Sequence, residues 1–227
     1  MKKFNLFLIG FLLLTGSLFS QEAVIQKKLT KEEKRAPYTT AIMIMPQMLA
    51  SHGLRMDFEF RIGKNAIVIA PTYYNKYNHD YYDYYYDDFK KKEGAGIDIA
   101  YKLNLTDPNR VFVPYAAANL SYDFYSVDVV DVTENYYYDE YGYSQSSEYY
   151  TNEKHFDIHK LGVDALMGFQ ITPIPRFVID FSVGVGTRHS FAKNDEEEMR
   201  SRFGDNILDM AFTGIIPTTN FKIGIKL

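Results

Sequence analysis

Residues suited to nucleophilic chemistry are sparse, and one segment, Arg188-His189-Ser190, places a histidine beside a serine. Hydrolases use such a pair when the imidazole takes the proton of the hydroxyl, which requires the two side chains to be within hydrogen-bond reach. Neighbouring residues of a β-strand point to opposite faces, so this histidine and serine are predicted to lie apart. The acidic run at 196–198 is typical of a solvated surface.

Residue spacing supports metal binding no better than it supports a histidine–serine hydrolase. The chain has five histidines and no cysteine, and we expect no two histidines to lie on a shared face as metal ligands. We therefore expect no catalytic residue, no metal centre and no cofactor. The histidines are His52, His79, His155, His159 and His189.

Charged residues alternate with apolar residues most clearly at 54–62, where every second side chain from Arg55 to Arg61 is charged. This period of two predicts a β-strand, and its length suits a tilted strand that crosses a bilayer. A charged side chain in the hydrocarbon midplane costs roughly 2 to 4 kcal/mol, so the charged rows are predicted to face the interior of a barrel. The predicted interior residues are Arg55, Asp57, Glu59, Arg61, Asp98, Lys102, Asp123, Lys160, Asp164, Asp180, Arg188, Lys222 and Lys226.

Seven further segments fit the same alternation, which gives eight strands in all. The connections between them alternate between short turns (63–65, 106–110, 172–176) and long polar segments (75–94, 126–155, 189–214), as in outer-membrane barrels. The sequence therefore predicts an all-β fold, an eight-stranded antiparallel up-and-down transmembrane β-barrel. The seven segments are 38–45, 66–74, 97–105, 111–125, 161–171, 177–185 and 219–227.

The interior of an eight-stranded barrel is just wide enough for side chains to fill it. The predicted interior charges nearly cancel, so we expect them to pair across the lumen as a polar core. The alternative is a narrow channel or porin-like pore.

The N-terminus is typical of an export signal. Lys2 and Lys3 precede an apolar stretch at 4–14 that is too short to span a bilayer, and small residues follow up to Ser20. We expect a signal peptide at 1–20, a polar periplasmic leader at 21–37 and the barrel domain at 38–227. Without the two signal lysines the chain has 23 Lys and Arg against 29 Asp and Glu, a net charge of −6 that argues against a nucleic-acid partner.

Tyrosine is concentrated in two of the long connections. Residues 73–86 contain eight tyrosines and residues 136–150 contain seven, interleaved with acidic residues in no ordered metal-loop spacing. Tyrosine gives large amphipathic contact area at low entropy cost, so these segments are candidates for external binding, and the alternative is a surface whose rings sit at the membrane interface. The candidate binding residues are Tyr81, Tyr82, Tyr84, Tyr85, Tyr86, Tyr136, Tyr137 and Tyr138.

In this plan of strands and loops, residues 21–227 resemble the small outer-membrane barrels of the OmpA and OmpX type, and more narrowly the porin-family outer-membrane barrels of Bacteroidetes-type bacteria. The resemblance implies the outer membrane of a Gram-negative bacterium, contact with lipopolysaccharide, and insertion by the barrel assembly machinery. It favours a monomeric, surface-exposed binding or structural protein whose external ligand the sequence does not name. A pore, a lipid A-modifying enzyme and a soluble lipocalin-like barrel are the alternatives.

Overall fold

The computed structural model describes residues 38–77, 90–138, 144–193, 196–207 and 209–227, with only the backbone between 131 and 151. The predicted signal peptide and leader lie outside the described residues. Eight antiparallel strands follow one another around a closed barrel, so the predicted fold class is confirmed. The strands are β1 Thr40–Ile44, β2 Gly53–Ile62, β3 Asn65–Tyr77, β4 Lys91–Asn104, β5 Phe112–Tyr138, β6 Ser144–Ile171, β7 Phe177–Ala192 and β8 Gly214–Lys226.

Two short helices join strands at one end of the barrel. A 3-10 helix, Pro46–Ser51, connects β1 to β2, and an α-helix, α1, covers Glu196–Phe203 between β7 and β8. Among the described residues, no helix combines the length and the hydropathy needed to cross a bilayer.

The strand register fixes the width of the barrel. A row of paired residues can be followed once around the barrel from Ile42 on β1 to Ile215 on β8. Ile42 itself pairs with Ile225, ten residues further along β8, and this offset is the shear of the barrel. A shear of ten on eight strands corresponds to a strand tilt of about 40° and a radius of about 8 Å. The row is Ile42, Phe58, Ile69, Ile99, Leu120, Val163, Thr187 and Ile215.

The two faces of the wall have opposite chemistry. Outward side chains such as Leu54 and Met167 are 57% and 66% exposed, whereas the inward Asp57 and Glu59 are 0% exposed. Because the side-chain period of a strand is two, a single register gives every strand an apolar outer row. The inner rows hold the buried charged side chains, but those of β1 and β3 are largely apolar, with Ala41, Met43, Ala66 and Val68 buried.

Three of the predicted long connections are shorter than expected. The segment 126–155 is mostly strand, since β5 continues to Tyr138 and β6 begins at Ser144. The segment 75–94 includes the end of β3 and the start of β4, and 189–214 includes the end of β7 and α1. The predicted boundaries were wrong at this end of the barrel because the polarity of the alternation reverses there: Val127 and Val129 point inward and are buried, while Ser126 and Asp128 lie on the outer side.

An apolar cluster fills this end of the barrel. Met199 and Phe203, one helical turn apart on α1, are both buried against Phe156, whose ring meets that of Phe203 edge-on at 6.1 Å. Together these side chains cover the polar interior from above. The cluster consists of Tyr74, Tyr125, Val127, Val129, Phe156, Ile158, Met199, Phe203, Met210 and Ala211, with Met48 and Ala192 packed against it.

The seam between the first and last strands is short, and a side chain extends it. β1 pairs with β8 at four positions, the outermost being Ile44 with Ile223. Beyond them, Gln47 Nε2 donates to the carbonyl of Thr219 at 2.6 Å, and Gln47 Oε1 accepts from the N–H of Phe221 at 2.8 Å. The carboxamide thus takes the place of one residue of β1 in the hydrogen-bonded ladder.

We expect Gln47→Leu to lower the free energy of unfolding by about 1 to 3 kcal/mol, because it leaves one carbonyl and one N–H of β8 without partners. Urea titration of the purified protein measures the change. Ser51→Ala is the matched control, since the Ser51 hydroxyl donates only to Met48 C=O of its own helix. Equal stability of both variants would contradict a structural role for Gln47.

Candidate functional site

The polar interior is the candidate functional site, and its lower layer crosses the whole lumen. Glu59 Oε2 on β2 accepts from Lys102 Nζ on β4 at 3.0 Å and from Gln170 Nε2 on β6 at 2.8 Å. Lys102 Nζ also donates to Asp180 Oδ2 on β7 at 2.8 Å, and Tyr115 OH donates to Asp180 Oδ1 at 2.6 Å. Since β2 and β6 lie on opposite sides of an eight-stranded ring, these bonds bridge the barrel from wall to wall.

A glycine makes room for this layer. A Cβ at Gly168 would lie 2.7 Å from Cζ of Tyr115, so any larger residue would push the tyrosine ring away from its place beside Lys102. Lys102 Nζ lies 3.8 Å from the centroid of that ring. The cation is therefore held by two carboxylates and one aromatic face.

A second layer lies above the first and begins at Asp57. Its carboxylate accepts from Lys222 Nζ and from Arg55 Nε, the latter at 2.8 Å. Arg55 Nη1 donates to Asp98 Oδ2 at 2.6 Å. One arginine therefore links carboxylates on β2 and β4.

The second layer continues to β7 through a neutral amide. Asn119 Nδ2 donates to Asp98 Oδ1 at 2.8 Å and to Asp164 Oδ2 at 2.9 Å. Asp164 also accepts from Arg188, whose Nη1 lies 2.8 Å from Oδ1, and from the hydroxyl of Thr218 at 3.0 Å. The layer thus has members on six strands, β2 and β4 to β8.

The remaining predicted interior residues lie at the two ends of the lumen. Asp123 accepts from Tyr74 OH at 3.1 Å, and Lys160 Nζ donates to the carbonyl of Asp209 at 2.8 Å, both beneath the apolar cluster. At the other end Lys226 Nζ donates to Thr172 Oγ1 at 2.8 Å, and Arg61 Nη1 donates to Asn109 Oδ1 at 2.7 Å. These four residues bond mainly to neutral groups, outside the two ionic layers.

Sequence reasoning missed the neutral members of the network. Tyr115, Asn119, Gln170 and Thr218 each accept or donate at a charged side chain. All four lie in phase with the charged rows of their strands, and this phase was the signal available to find them. A fifth neutral member, Tyr38, precedes β1 and donates to Glu59 Oε1 at 3.1 Å.

His189 and Ser190 point to opposite sides of β7. His189 lies on the exposed outer face, while Ser190 is 0% exposed and its hydroxyl donates to the carbonyls of Met210 and Phe212 at 3.3 and 3.1 Å. Within the described ranges, no group of three or more His, Asp or Glu side chains is arranged to hold a metal ion.

The candidate tyrosines fall into two groups. Tyr81, Tyr82, Tyr84, Tyr85 and Tyr86 lie outside the described residues. Tyr136, Tyr137 and Tyr138 belong to β5, and their backbones pair with Ser147, Ser146 and Ser144 of β6, so the prediction that they sit in a loop was wrong. Their part in binding stays a prediction.

Aromatic side chains mark two levels on the outside of the wall. At the level of α1, the ring of His159 stacks on that of Phe191 at 5.2 Å, and its Nδ1 lies 2.8 Å from Tyr122 OH. Near the opposite end, Phe169 lies 5.4 Å from Phe112 and 5.7 Å from Phe181. His159 and Phe169 are ten residues apart on β6, which at the strand tilt derived above separates the two levels by about 25 Å along the barrel axis.

Above the upper aromatic level the outer face becomes polar. His155 Nδ1 lies 2.6 Å from Asp128 Oδ1, and its Nε2 lies 3.2 Å from Asp157 Oδ1. The hydrogen bond with Asp128 raises the pKa of His155, and Asp157 adds to the effect. The His155 ring therefore links β5 to β6 beyond the end of β7, at the row of paired residues where β4 begins with Lys91.

Comparisons with known proteins give one structural match. No protein-family profile matches the chain, and no curated protein matches it in sequence. The crystal structure of Neisserial surface protein A (NspA) is similar, with 14% identity, a TM-score of 0.39, and an alignment over 83% of this chain and 92% of that chain. The fold assignment rests on the closed order of the eight strands.

We expect Lys102→Met to lower the free energy of unfolding by about 3 to 5 kcal/mol, because two buried carboxylates then lose the cation between them. Denaturant titration measures the change. Arg200→Met is the control, since Arg200 forms an exposed i,i+4 pair with Glu196 that is worth about 0.5 kcal/mol at most. We expect the double variant Lys102→Met/Asp180→Asn to recover part of the lost stability. A Lys102→Met protein as stable as the unchanged protein would contradict the network.

We expect the ring protons of His155 to titrate at a lower pH in Asp128→Asn than in the unchanged protein, because the variant lacks the carboxylate that raises the pKa. NMR chemical shifts measure the midpoints. Since the folded pKa is raised, the stabilisation of β5 against β6 is complete below the unfolded value of about 6.5 and is lost as pH rises through the folded pKa. Identical midpoints would show that Asp128 does not hold the proton.

Proposed function

We propose that the protein is an outer-membrane β-barrel with a closed polar lumen and a projecting external surface. The observation that carries this proposal is the apolar outer band between two aromatic levels about 25 Å apart, which is the height expected of a lipid-facing band. Apart from the outer part of β8, the closed ring of strands satisfies its own backbone hydrogen bonds, as a span in lipid requires.

A soluble lipocalin-like barrel would need the reverse arrangement, with apolar side chains inside and polar ones outside. Here Asp57, Glu59 and Asp180 are at most 1% exposed in the interior, while Val163 on the outer face is 55% exposed. Apolar outward rows on all eight strands would be costly in water, and they are stabilised in hydrocarbon. The polar interior and apolar outer face therefore favour a membrane barrel over a soluble lipocalin-like barrel.

The lumen chemistry favours a plug over a pore. The lower layer bridges β2 to β6 through Glu59 and Gln170, and the second layer continues from β2 to β8. An ion that passed through would have to break several hydrogen-bonded ion pairs in a water-poor interior, where their loss is expensive. An enzymatic role lacks a comparable observation, because His189 and Ser190 face opposite sides of the wall.

The external surface is the part suited to binding. β5 and β6 continue in register to Tyr137 and Ser146, well beyond the upper aromatic level, and the register shifts before the last pair, Tyr138 and Ser144. The sequence from 111 to 153 contains no Lys or Arg and eight Asp and Glu. A tyrosine-rich, acidic hairpin of this kind supports a role in contacting external molecules, with the tyrosines at 81–86 and 136–138 as the candidate contacts. We further propose a monomer that contacts lipopolysaccharide and is inserted by the barrel assembly machinery.

The membrane proposal predicts that Phe58→Arg, on the outward row of β2, destabilises the folded barrel by about 2 to 4 kcal/mol in lipid vesicles, because its guanidinium must sit in hydrocarbon. Glu59→Gln is the neighbouring variant on the inner face and should cost less. Folding is followed by heat-modifiable gel migration. Phe58→Arg that inserted as stably as the unchanged protein would contradict the outward face of β2 as lipid-facing.

The plug predicts little conductance when the purified protein is added to planar bilayers. Large, steady, ion-selective currents from the unchanged protein would favour a pore and contradict the closed lumen. Arg55→Gln is the informative variant, because it removes the guanidinium between Asp57 and Asp98 and should affect stability more than current.

A further inference from the structure

The outer part of β8 has a backbone edge that faces no strand. β1 ends at Ile44, opposite Ile223, and Gln47 extends the contact only as far as Thr219. β8 continues outward to Gly214. In the part of the chain that the structure describes, residues 214–218 have strand partners on the β7 side alone.

The chemistry of this edge follows from the direction of its backbone groups. Phe221 N–H and Thr219 C=O both turn toward the β1 side, where Gln47 meets them. Because alternate residues of an antiparallel strand direct both backbone groups to the same side, Pro217 and Ile215 share that direction. Proline has no N–H, so residues 214–218 present two carbonyls and a single N–H, that of Ile215, to this side, and the N–H of Thr219 lies at the lower end of the edge.

The edge lies within the apolar outer band. Ile215 belongs to the same outward row as Val163, and because such a row climbs about 3 Å along the barrel axis from one strand to the next at this tilt, Ile215 lies just below the upper aromatic level. Its side chain is 71% exposed, and Leu49 on the neighbouring 3-10 helix is 65% exposed. At this depth, near the upper edge of the apolar band, carbonyls meet little water, and a donor from another molecule would stabilise them.

We propose that this edge is a binding site for an outer-leaflet lipid that carries a hydroxyl or amide N–H at the top of its acyl chains. The donor bonds the carbonyls of Ile215 and Pro217, and an acyl chain lies on the side chains of Ile215 and Leu49. The site selects donor-bearing lipids over those whose upper chains carry only ester carbonyls. This proposal rests on the proposed function as an outer-membrane barrel.

The donor–acceptor balance argues against a protein strand as the occupant. An added β-strand needs both donors and acceptors along the edge, and Pro217 removes a donor at its centre. A second copy of the chain brings the same edge, and its Pro217 likewise lacks the donor that a paired strand supplies. A lipid needs only the acceptors that this edge retains.

The test uses tryptophan reporters, because the chain contains no tryptophan. Leu49→Trp reports on the β8 edge, and Ile99→Trp, exposed on β4 at the far side of the barrel, reports on the general lipid surface. Each full-length variant is folded into phosphatidylcholine vesicles that contain a minor fraction of either brominated sphingomyelin, which bears an amide and a hydroxyl donor, or brominated phosphatidylcholine, which bears neither.

We expect Leu49→Trp to lose a larger fraction of its fluorescence to brominated sphingomyelin than to brominated phosphatidylcholine, and Ile99→Trp to lose equal fractions to both. Ile215→Ala in the Leu49→Trp protein keeps both carbonyls but removes apolar surface on which the acyl chain lies, so it should reduce the preference. Val163→Ala, on the same outward row, should leave it unchanged. Ile44→Trp, on β1 below the edge, replaces the reporter if Leu49→Trp fails to show heat-modifiable migration.

The outcomes separate this site from the proposed membrane function. If Ile99→Trp is quenched by both lipids and the edge reporter shows no preference, the lipid site is wrong and the membrane barrel stands. If Ile99→Trp is quenched by neither lipid, the outer band does not face hydrocarbon and both proposals fail. A preference that is as large with Ile215→Ala as without it would also overturn the site as assigned, because the acyl chain would then not lie on Ile215.

Discussion

Closure of the hydrogen-bonded ring is the constraint on which the other features depend. Eight strands with a shear of ten leave an interior about 8 Å in radius, measured to the backbone. Side chains from opposite walls therefore meet at the axis, and a charged inner row must be neutralised by the other strands because little water fits. Because the ring is closed, the outer rows of all strands face the same surrounding medium.

The composition of the interior follows from how many bonds a buried carboxylate accepts. Asp164 accepts from Arg188, Asn119 and Thr218, and Asp180 accepts from Lys102 and Tyr115. Long cations alone would overfill a lumen of this radius, so short neutral donors complete the bonding. These neutral donors explain how a narrow barrel holds six inward carboxylates from β2 to β7 without an aqueous channel.

The sequence predicted the strands correctly wherever apolar side chains face outward and charged or polar side chains face inward. At 54–62 the charged and apolar rows separate cleanly, and β2 covers Gly53–Ile62. Above Phe124 the period of two persists, but its polarity reverses, because Val127 now packs inward on Met199 and Phe203 while Asp128 faces outward. A search for apolar-outward strands therefore stopped near residue 125. Helix α1 was missed because only two of its eight residues, Met199 and Phe203, are buried.

The reversal of polarity also locates the upper boundary of the surrounding medium. On β6 it falls between His159, which faces outward among aromatic rings, and Ile158, which is 0% exposed inside. The wall is uneven about this boundary: β1 stops below it, whereas β5 and β6 rise far above it. The tall side carries the apolar cluster that covers the lumen, and the low side leaves β8 without a neighbour. One short strand at the seam thus produces both the need for Gln47 and the open edge above it.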